Sequence, residues 1–295
     1  MTTTGGASRP KISLLLADVD GTLVTEQKIL TPRAQAAVRA LRGAGVKFAL
    51  TSGRPPRGMA MLVEPLQVDT VIAGFNGGVF VRPRDLSVVE ERTLPPDPAK
   101  RALDFILANG MDAWIYSGND WLLRDPEAAH VARERWTVKF PPTVVRDFDE
   151  GMISRAAKIV GVSDDLDLVR RCEANLRAEL GSHASAARSQ PYYLDVTHPQ
   201  ANKGAVVDYL ASTLGVPHEE IAVIGDMPND VLMFARSGFS IAMGNASPEV
   251  QAKADAVTAS YNDEGFAQAV ERWLLGADGQ DLAGAPRTLS MEADR

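Results

Sequence analysis

The chain has 295 residues, of which 45% are hydrophobic and 23% charged. This composition is ordinary for a globular protein and excludes a globally disordered or fibrous chain, and the length corresponds to about two domains. Lysine and arginine number 31 against 38 acidic residues, so the formal net charge is −7. This charge argues against nucleic acid as a partner and against a polybasic membrane anchor. No apolar run approaches the roughly 18 residues that a membrane helix needs.

A single cysteine, Cys172, is present. One thiol cannot build a disulfide framework or a cysteine-rich zinc site, and sparse cysteine favours a reducing compartment. Residues 1–10 lack the basic and apolar regions of a secretory signal. They and residues 276–295 show no hydrophobic periodicity, so both are predicted to be flexible tails. We expect a cytoplasmic protein.

The first 83 residues contain three apolar runs, with an amphipathic segment between the first two. Residues 12–17, 46–50 and 71–73 are apolar runs typical of buried strands. Between the first two runs, Thr31 followed by Pro32 is a typical helix start. A strand, a helix and a strand in this order predict a parallel sheet with crossover helices.

The same pattern returns late in the chain, and a different one lies between. Helices are predicted at residues 203–214, 228–236 and 266–275, and strands at 221–224 and 239–242. In the middle of the chain, strands and helices alternate without this repeat, and proline pairs interrupt them. We therefore predict an α/β fold, with a Rossmann-like parallel-sheet core formed by residues 11–83 and 196–275 and an inserted α+β domain at residues 84–195.

Two aspartates, Asp18 and Asp20, directly follow the first predicted strand. Ligands of open parallel sheets bind beyond the carboxyl ends of the strands, and Gly21 frees the backbone to turn both carboxylates towards one point. Carboxylates this close need a cation or a shared proton. A polar turn is the alternative interpretation. A calcium-binding EF-hand is excluded because Leu23 and Ile29 occupy its glycine and glutamate positions.

A second acidic motif, with Asp226 and Asp230, follows the strand predicted at residues 221–224. Asp230 falls in the first turn of a predicted helix, where an acidic residue can serve simply as a cap. Four aspartates at strand ends nevertheless favour a hard cation held by oxygen atoms. Mg²⁺ fits best because it uses few carboxylates and keeps several waters.

Two smaller elements carry groups that suit a phosphate. Ser52, Gly53 and Arg54 follow the second strand, where a hydroxyl and free backbone N–H groups can bind phosphate oxygens. Lys203 begins a predicted helix and offers a positive charge to a phosphoryl group. Taken alone, a serine–glycine pair is usually a turn, and a lysine is usually a surface residue.

Together these motifs resemble the haloacid dehalogenase superfamily, and specifically its Cof-type phosphatases of subfamily IIB. The resemblance covers residues 11–275, and Ser52 stands where the family more often has threonine, which carries the same hydroxyl. The matching stretches, in family order, are residues 18–22, 52–54, 202–204 and 225–230, with further similarity at residues 75–77, 243–246 and 262–265.

The resemblance implies a role for each motif in phosphoryl transfer. Asp18 would attack phosphorus and form an aspartyl-phosphate, which water then hydrolyses. Asp20 would protonate the leaving oxygen and later take a proton from water. Ser52 and Lys203 would stabilise charge on the transferring oxygens.

It also implies a metal site and a substrate site. The Asp18 carboxylate, the backbone carbonyl of Asp20 and the Asp226 carboxylate would bind Mg²⁺. Asn229 and Asp230 would hold the water shell of the metal and Lys203 in place. The residues implied in substrate binding are Gly53, Arg54, Asn76 and Gly77.

The implied activity is Mg²⁺-dependent hydrolysis of a small phosphomonoester: a sugar phosphate, a nucleotide or a phosphorylated cofactor. Asp20 argues against a dehalogenase, which lacks this second acid. A phosphomutase, a sugar-phosphate phosphatase of strict specificity and a catalytically silent metabolite-binding module remain alternatives. A small phosphate ester is the expected partner, and the chain is expected to be a monomer or a homodimer.

The inserted domain would be a cap that closes over the substrate. Its aromatic residues are more typical of a hydrophobic core than of ligand contacts. These residues are Trp114, Tyr116, Trp121, Tyr192 and Tyr193.

Overall fold

A computed structural model describes residues 11–276 of the chain. Within this range the strands form one sheet of eight strands and one of six. The predicted tails, residues 1–10 and 276–295, lie outside the described residues apart from Gly276. No helix within residues 11–276 is long and apolar enough to cross a bilayer.

The N-terminal segment supplies five strands of the larger sheet. Strands β1 to β3 run parallel, and β4 and β5 continue the sheet in antiparallel fashion. A 3-10 helix at Pro56–Met59 precedes the second helix. The elements are β1 (Leu14–Asp18), α1 (Pro32–Gly43), β2 (Lys47–Thr51), α2 (Ala60–Leu66), β3 (Ile72–Gly74), β4 (Val79–Val81) and β5 (Val88–Glu91).

The next segment forms the smaller sheet, whose strand order is β10-β11-β9-β6-β7-β8. Its pairs are antiparallel except for β7 with β8. The elements are α3 (Pro96–Ala108), β6 (Asp112–Ser117), β7 (Asp120–Leu123), α4 (Val131–Val138), β8 (Thr143–Val144), α5 (Glu150–Ile153), β9 (Lys158–Val162), α6 (Leu166–Leu180), β10 (Ser185–Gln190) and β11 (Tyr193–Thr197).

The chain then returns to the larger sheet and adds three parallel strands. Short 3-10 helices lie at His218–Glu220, Pro228–Asp230 and Tyr261–Asp263, and a π-helical turn at Val270–Leu274 follows the last helix. The elements are α7 (Lys203–Leu214), β12 (Ile221–Gly225), α8 (Val231–Phe234), β13 (Phe239–Ala242), α9 (Pro248–Gln251), β14 (Ala256–Val257) and α10 (Gly265–Ala269).

The order of the larger sheet is β14-β13-β12-β1-β2-β3-β4-β5. The first strand in sequence is therefore central, with the late strand β12 on one side and β2 on the other. Because these strands are parallel, their carboxyl ends meet at one edge. Loops that leave this edge are where open parallel sheets bind their ligands.

Helices cover both faces of the larger sheet. Alternating residues of β1 point to opposite faces, so Leu15 joins the hydrophobic cluster that includes Val38 of α1, whereas Leu16 joins the cluster that includes Leu210 of α7. Thr31 caps α1 and Asn202 caps α7, each accepting a backbone N–H three residues on. The predicted α/β fold with a parallel-sheet core is confirmed.

The smaller sheet has two different faces. One face packs against α3 and α6 in a hydrophobic cluster of its own, which contains Ile115 and Leu194. The other face carries Trp114 and Tyr116, which belong to the same cluster as residues of the larger sheet. The inserted segment therefore lies directly on the core.

Strand β5 lies within residues 84–195, the range assigned to the insertion from the sequence. It pairs with β4 in the larger sheet, with Val79 opposite Glu91. We propose that the inserted domain begins after Glu91 rather than at residue 84. A short exposed strand of this kind carries no signal that distinguishes the two sheets.

The helix predicted at residues 228–236 is shorter and irregular. The chain forms a 3-10 helix at Pro228–Asp230, and α8 ends at Phe234. The Asp230 carboxylate folds back to accept the backbone N–H groups of Asp226 and Met227. This tight turn replaces the first turn of a regular helix.

Candidate active site

The acidic motifs meet at the carboxyl edge of the larger sheet. Asp18 is the last residue of β1, and Asp226 directly follows β12. The two strands are neighbours in parallel register, with Ala17 opposite Ile224. On the other side of β1, Asp18 pairs with Thr51, and Ser52 follows. The sequence positions therefore converge because three parallel strands end together.

Lys203 joins two of the carboxylates. Its Nζ lies 2.6 Å from Asp18 Oδ1 and 2.5 Å from Asp230 Oδ1. The Lys203 side chain is 2% exposed and that of Asp230 is fully buried. Lys203 is therefore buried, whereas a lone lysine is usually an exposed surface residue. Its position at the start of α7 places it in the site.

Three carboxylates surround this one ammonium group. Oxygen atoms of Asp18, Asp226 and Asp230 all lie within 4.8 Å of one another, and all three residues are buried. Burial raises the pKa of Asp18 well above its ordinary value; Lys203 opposes this, and the charges of Asp230 and Asp226 add to it. Burial and the charge of Asp230 likewise raise the pKa of Asp226 to about 7.

The charge on Lys203 is secured by the same groups. Burial lowers the pKa of its ammonium, but Asp18 and Asp230 outweigh burial, so the net shift is upwards. The cluster thus has one firm positive charge and up to three negative ones. Excess negative charge from buried carboxylates is what a divalent cation would neutralise.

Asp230 positions its neighbours through both of its oxygens. Oδ1 accepts from Lys203, and Oδ2 accepts from the backbone N–H groups of Asp226 and Met227, at 2.9 and 2.8 Å. A side chain at Gly225 would collide with the Asp230 carboxyl group. The turn therefore needs a glycine at this position.

Asp226 is oriented by two side chains that were not among the predicted site residues. Thr22 Oγ1 donates to its Oδ1 at 3.3 Å, and Asn245 Nδ2 donates to its Oδ2 at 3.2 Å. A side chain at Gly21 would collide with the same carboxylate. Thr22 and Asn245 lie in stretches that resemble the family, so that resemblance was the signal available for them.

Asp20 lies beside the cluster and has its own cationic partners. Arg54 donates Nε and Nη2 to its two oxygens, each at 2.6 Å, and Lys28 Nζ lies 2.6 Å from Oδ1. Burial raises the pKa of Asp20, but the bonds to Arg54 and the charge of Lys28 outweigh burial and lower it. Lys28 was not predicted, because only the fold of the loop brings it back to Asp20.

The loop after β2, which carries Ser52 and Arg54, lies against Asn76, another residue predicted to bind substrate. The Ser52 carbonyl accepts the Asn76 N–H at 2.8 Å, and the Ser52 hydroxyl accepts the Arg54 N–H at 3.2 Å. Asn229 Nδ2 donates to Asn76 Oδ1 at 3.2 Å. Gly77, with φ of 98°, packs against the start of α7, where a side chain would clash with Val206.

The inserted domain covers this edge of the sheet. The ring of Tyr116 in β6 lies 5.2 Å from that of Phe75. The N–H of Phe75 in turn donates to the Arg54 carbonyl. The Arg57 guanidinium lies 4.7 Å from the centre of the Phe140 ring. These contacts place one face of the smaller sheet over the loop that carries Arg54.

The donor set suits a hard metal ion. It consists of carboxylate oxygens, which Mg²⁺ and Ca²⁺ prefer. The pKa values of Asp18 and Asp226 are raised first by burial and further by the charge of neighbouring carboxylates. Both oxygens of Asp230 already accept protein N–H groups. Asp18 and Asp226 are therefore the carboxylates best placed to bind a cation directly, with Asp230 behind them.

A family profile described as haloacid dehalogenase-like hydrolase matches residues 15–270. The chain belongs to this family. The predicted family, including its Cof-type phosphatases, and the predicted enzyme class, a hydrolase of the phosphatase type, are confirmed. Within the matched range lie the strand ends that carry Asp18 and Asp226 and the helix start that carries Lys203.

Individual relatives agree with this membership of the haloacid dehalogenase-like hydrolases. A Haemophilus influenzae protein provisionally named a phosphatase is 29% identical over 259 residues, covering 87% of this chain and 96% of its own. A Bacillus subtilis 5-amino-6-(5-phospho-D-ribitylamino)uracil phosphatase is 25% identical over 273 residues, covering 88% and 97%. A solved haloacid dehalogenase-like hydrolase from Bacteroides thetaiotaomicron is 27% identical, with a TM-score of 0.82, covering 89% and 99%.

Proposed function

We propose that the protein is a Mg²⁺-dependent phosphatase that hydrolyses small phosphomonoesters through an aspartyl-phosphate on Asp18. The observation that carries the proposal is the buried Asp18 carboxylate at the end of β1, 2.6 Å from the Lys203 ammonium and within the cluster that includes Asp226. Phosphoryl transfer depends on positioning and on neutralising charge, and this cluster offers both.

Asp18 is the proposed nucleophile. The Lys203 ammonium holds Oδ1, which fixes the carboxylate in one orientation and leaves the other oxygen to attack phosphorus. A bond then forms between that oxygen and phosphorus, and the bond from phosphorus to the ester oxygen breaks. Lys203 also carries a positive charge that the transferring oxygens can share.

Asp20 is the proposed acid and base. Arg54 and Lys28 hold it as a carboxylate, so it must give up at least one of these cations before it can carry a proton. A bound phosphate dianion competes for the same cations. Once a cation has moved away, Asp20 takes up a proton from solvent and passes it to the leaving alkoxide. In the second half of the reaction it takes a proton from the water that hydrolyses the aspartyl-phosphate.

The metal would be held by the Asp18 and Asp226 carboxylates and by the backbone carbonyl of Asp20, with Asn229 and Asp230 behind them. When bound, Mg²⁺ supplies positive charge that offsets the negative charge of the phosphoryl group. Thr22 and Asn245 keep the Asp226 carboxylate in one orientation, as partners behind metal ligands commonly do.

The remaining predicted residues are assigned to the phosphate and its ester. Ser52, Gly53 and Arg54 border the space beside Asp18 on the side of β2. Asn76 is fixed by Ser52 and Asn229, which favours a binding role for its amide. Gly77 packs under this loop, so we assign it to shaping the loop rather than to contact with substrate.

We infer that the substrate class is a small phosphate ester, since the inserted domain contacts the loop beside Asp18. The aminouracil phosphatase among the relatives acts on a phosphate of this size by its name. We also infer that the chain acts in the cytoplasm as a monomer or homodimer. The one cysteine, Cys172, is buried and unpaired, as suits a reducing compartment.

Phosphate release from a panel of phosphomonoesters tests the proposal. The panel includes p-nitrophenyl phosphate, and each ester is assayed with Mg²⁺ and with EDTA. We expect release with Mg²⁺ only, and we expect Asp18→Asn to abolish release while its thermal unfolding remains cooperative. Release that persists in Asp18→Asn would contradict the nucleophile, and full activity in EDTA would contradict the metal.

Release of phosphate also separates the alternatives. A phosphomutase would transfer the phosphoryl group to a second hydroxyl of the substrate and would need a bisphosphate as activator. A silent binding module would shift its unfolding temperature with an ester yet release nothing from any member of the panel. Either result would contradict the phosphatase proposal.

A further inference from the structure

The face of the smaller sheet that lies on the core carries a polar cluster that the proposed chemistry does not use. Tyr193 and Asp195 alternate along β11, so they share a face. Lys158 of β9 pairs with Tyr116 of β6 on one side and with Thr197 of β11 on the other. The register therefore places all four side chains on the face that also carries Trp114.

Three contacts organise this cluster. Lys158 Nζ lies 2.5 Å from Asp195 Oδ2, with side chains only 10% and 11% exposed. The Tyr116 hydroxyl donates to Glu134 Oε1 of α4 at 2.8 Å. The Lys158 ammonium is also 5.9 Å from the centre of the Tyr116 ring. A buried ion pair of this kind costs solvation, so its presence invites a functional explanation.

Two polar atoms of the cluster are left without a partner. Asp195 Oδ1 and the Tyr193 hydroxyl are buried, and neither has a hydrogen-bond partner among the described residues. Tyr193 is 7% exposed. Buried polar atoms are nearly always paired. An acceptor and a hydroxyl that lack partners on the same strand face indicate a group that arrives from outside the chain.

The cluster lies on the side of the cap that faces the catalytic loops. Tyr116 packs on Phe75, which is bonded to the Arg54 backbone. Burial raises the pKa of Glu134, and the Arg54 guanidinium is among the charges that oppose this rise, so the two groups lie in each other's field. The cluster is therefore placed on the side from which it could contact the part of an ester that extends away from its phosphate.

The hydrogen-bonding capacity of the two unpaired atoms indicates which kind of ligand they would bind. Asp195 Oδ1 only accepts a hydrogen bond, whereas the Tyr193 hydroxyl donates or accepts. Burial and nearby Glu134 raise the pKa of Tyr193, so its hydroxyl keeps its proton. The Lys158 charge cancels that of Asp195, so a second anionic group gains little here. An uncharged hydroxyl satisfies both atoms at once.

We propose that Asp195 and Tyr193 bind a hydroxyl group on the alcohol portion of the substrate, with Lys158 as the residue that orients Asp195. They are specificity-determining residues, and they favour phosphate esters of polyhydroxylated alcohols over esters of apolar alcohols. A ring of Trp114, whose centroid lies 5.2 Å from that of Tyr193, supplies an apolar wall beside the bound hydroxyl. This inference rests on the proposed phosphatase activity.

The test compares kcat/KM for hydroxylated esters (glycerol 3-phosphate, ribose 5-phosphate and glucose 6-phosphate) with that for phenyl phosphate. Tyr193→Phe keeps the ring and removes the hydroxyl. Asp195→Asn keeps the shape of the side chain, replaces one acceptor oxygen with an NH2 donor and removes the charge that pairs with Lys158. We expect the ratio for the best hydroxylated ester over phenyl phosphate to fall about tenfold in each variant, mainly through KM. Because both esters are assayed on one preparation, loss of folded enzyme cancels from the ratio.

Tyr192→Phe is the matched control, since it removes the hydroxyl of the adjacent tyrosine, whose ring stacks on His130 instead. Its ratio should equal that of the wild type. The inference is overturned if the two test variants also keep the wild-type ratio, or if the wild type hydrolyses phenyl phosphate but no hydroxylated ester. Wild-type protein that hydrolyses neither would instead contradict the proposed function.

Discussion

Asp226 shows how the carboxylates respond to pH in the absence of a cation. Its pKa rises from 3.8 to about 7 because it is buried beside Asp230. The folded state therefore holds this proton more tightly than the unfolded chain does. The stability from this proton is complete below about pH 4 and is lost as the pH rises through 7. A divalent cation would restore that stability where the carboxylate is charged.

We therefore expect Mg²⁺ to raise the unfolding temperature more at pH 8 than at pH 6. The two shifts should differ by about 2–4 °C, which corresponds to about 1 kcal/mol in a chain of this size. Thermal unfolding at matched ionic strength, with NaCl replacing the magnesium salt, measures the shifts. Asp226→Asn should lose the difference, and equal shifts at both pH values in the wild type would contradict the assignment.

At the scale of single residues, the sequence best predicted the position of side chains that lie at the end of a strand or directly after it. Asp18, Ser52 and Asp226 could be placed together because parallel strands end at one edge. Lys28 could not, since its contact with Asp20 depends on how the loop between them folds back. The pairing of Asp195 with Lys158 was also beyond prediction, because it requires the register of an antiparallel sheet.

At the scale of elements, the turn after β12 links backbone shape to the site. Gly225 lies against the Asp230 carboxyl group, and Asp230 in turn holds Lys203. A methyl group at residue 225 would push Asp230 away from the backbone N–H groups that it accepts. A displaced Asp230 would in turn displace Lys203, and Lys203 would then no longer hold Asp18 in place.

Gly225→Ala should therefore lower stability by about 1–3 kcal/mol, as overpacking of a buried site does. It should also lower kcat about tenfold or more through the displaced lysine. Urea unfolding and phosphate release measure the two effects. Gly43→Ala is the control, because a side chain there meets open space, and a loss of similar size in that variant would refute the explanation.

Element boundaries were predictable where caps are local. Helix α7 spans Lys203–Leu214 as predicted, between the capping Asn202 and Gly215 in a left-handed conformation. The segment after Pro228 departed from the prediction because a side chain, Asp230, competes for the first backbone N–H groups. Strand β5 was missed since its exposed residues show no buried face.

At the scale of the whole molecule, aromatic side chains of the inserted domain are buried on the face that lies against the core. Trp114 and Trp121 are each 1% exposed, and Tyr116 contacts Phe75 across the boundary between domains. Under the proposed function, an ester reaches Asp18 by passing between these surfaces. We therefore propose that the two domains separate and close again in each catalytic cycle.

We expect a ligand that mimics the transferring phosphoryl group to favour closure. The chain has four tryptophans, so a double variant, Trp136→Phe with Trp273→Phe, leaves Trp114 and Trp121 of the inserted domain as the two that remain. Acrylamide should quench their fluorescence less with Mg²⁺ and orthovanadate than without ligand. Chloride at equal ionic strength is the control. Equal quenching in all three conditions would argue against a cap that opens.

The pairing of β1 with β12 also has a consequence for the synthesis and folding of the protein. Lys203 and Asp18 are 185 positions apart in the chain, and the whole inserted domain is made between them. During synthesis on the ribosome, Asp18 therefore emerges long before Lys203. One edge of β1 remains unpaired until β12 has been made. A compact inserted domain brings the two halves close before they join, which reduces the entropy lost in closing so long a loop. A chain that ended before residue 226 would therefore contain the inserted domain but lack the second acidic motif.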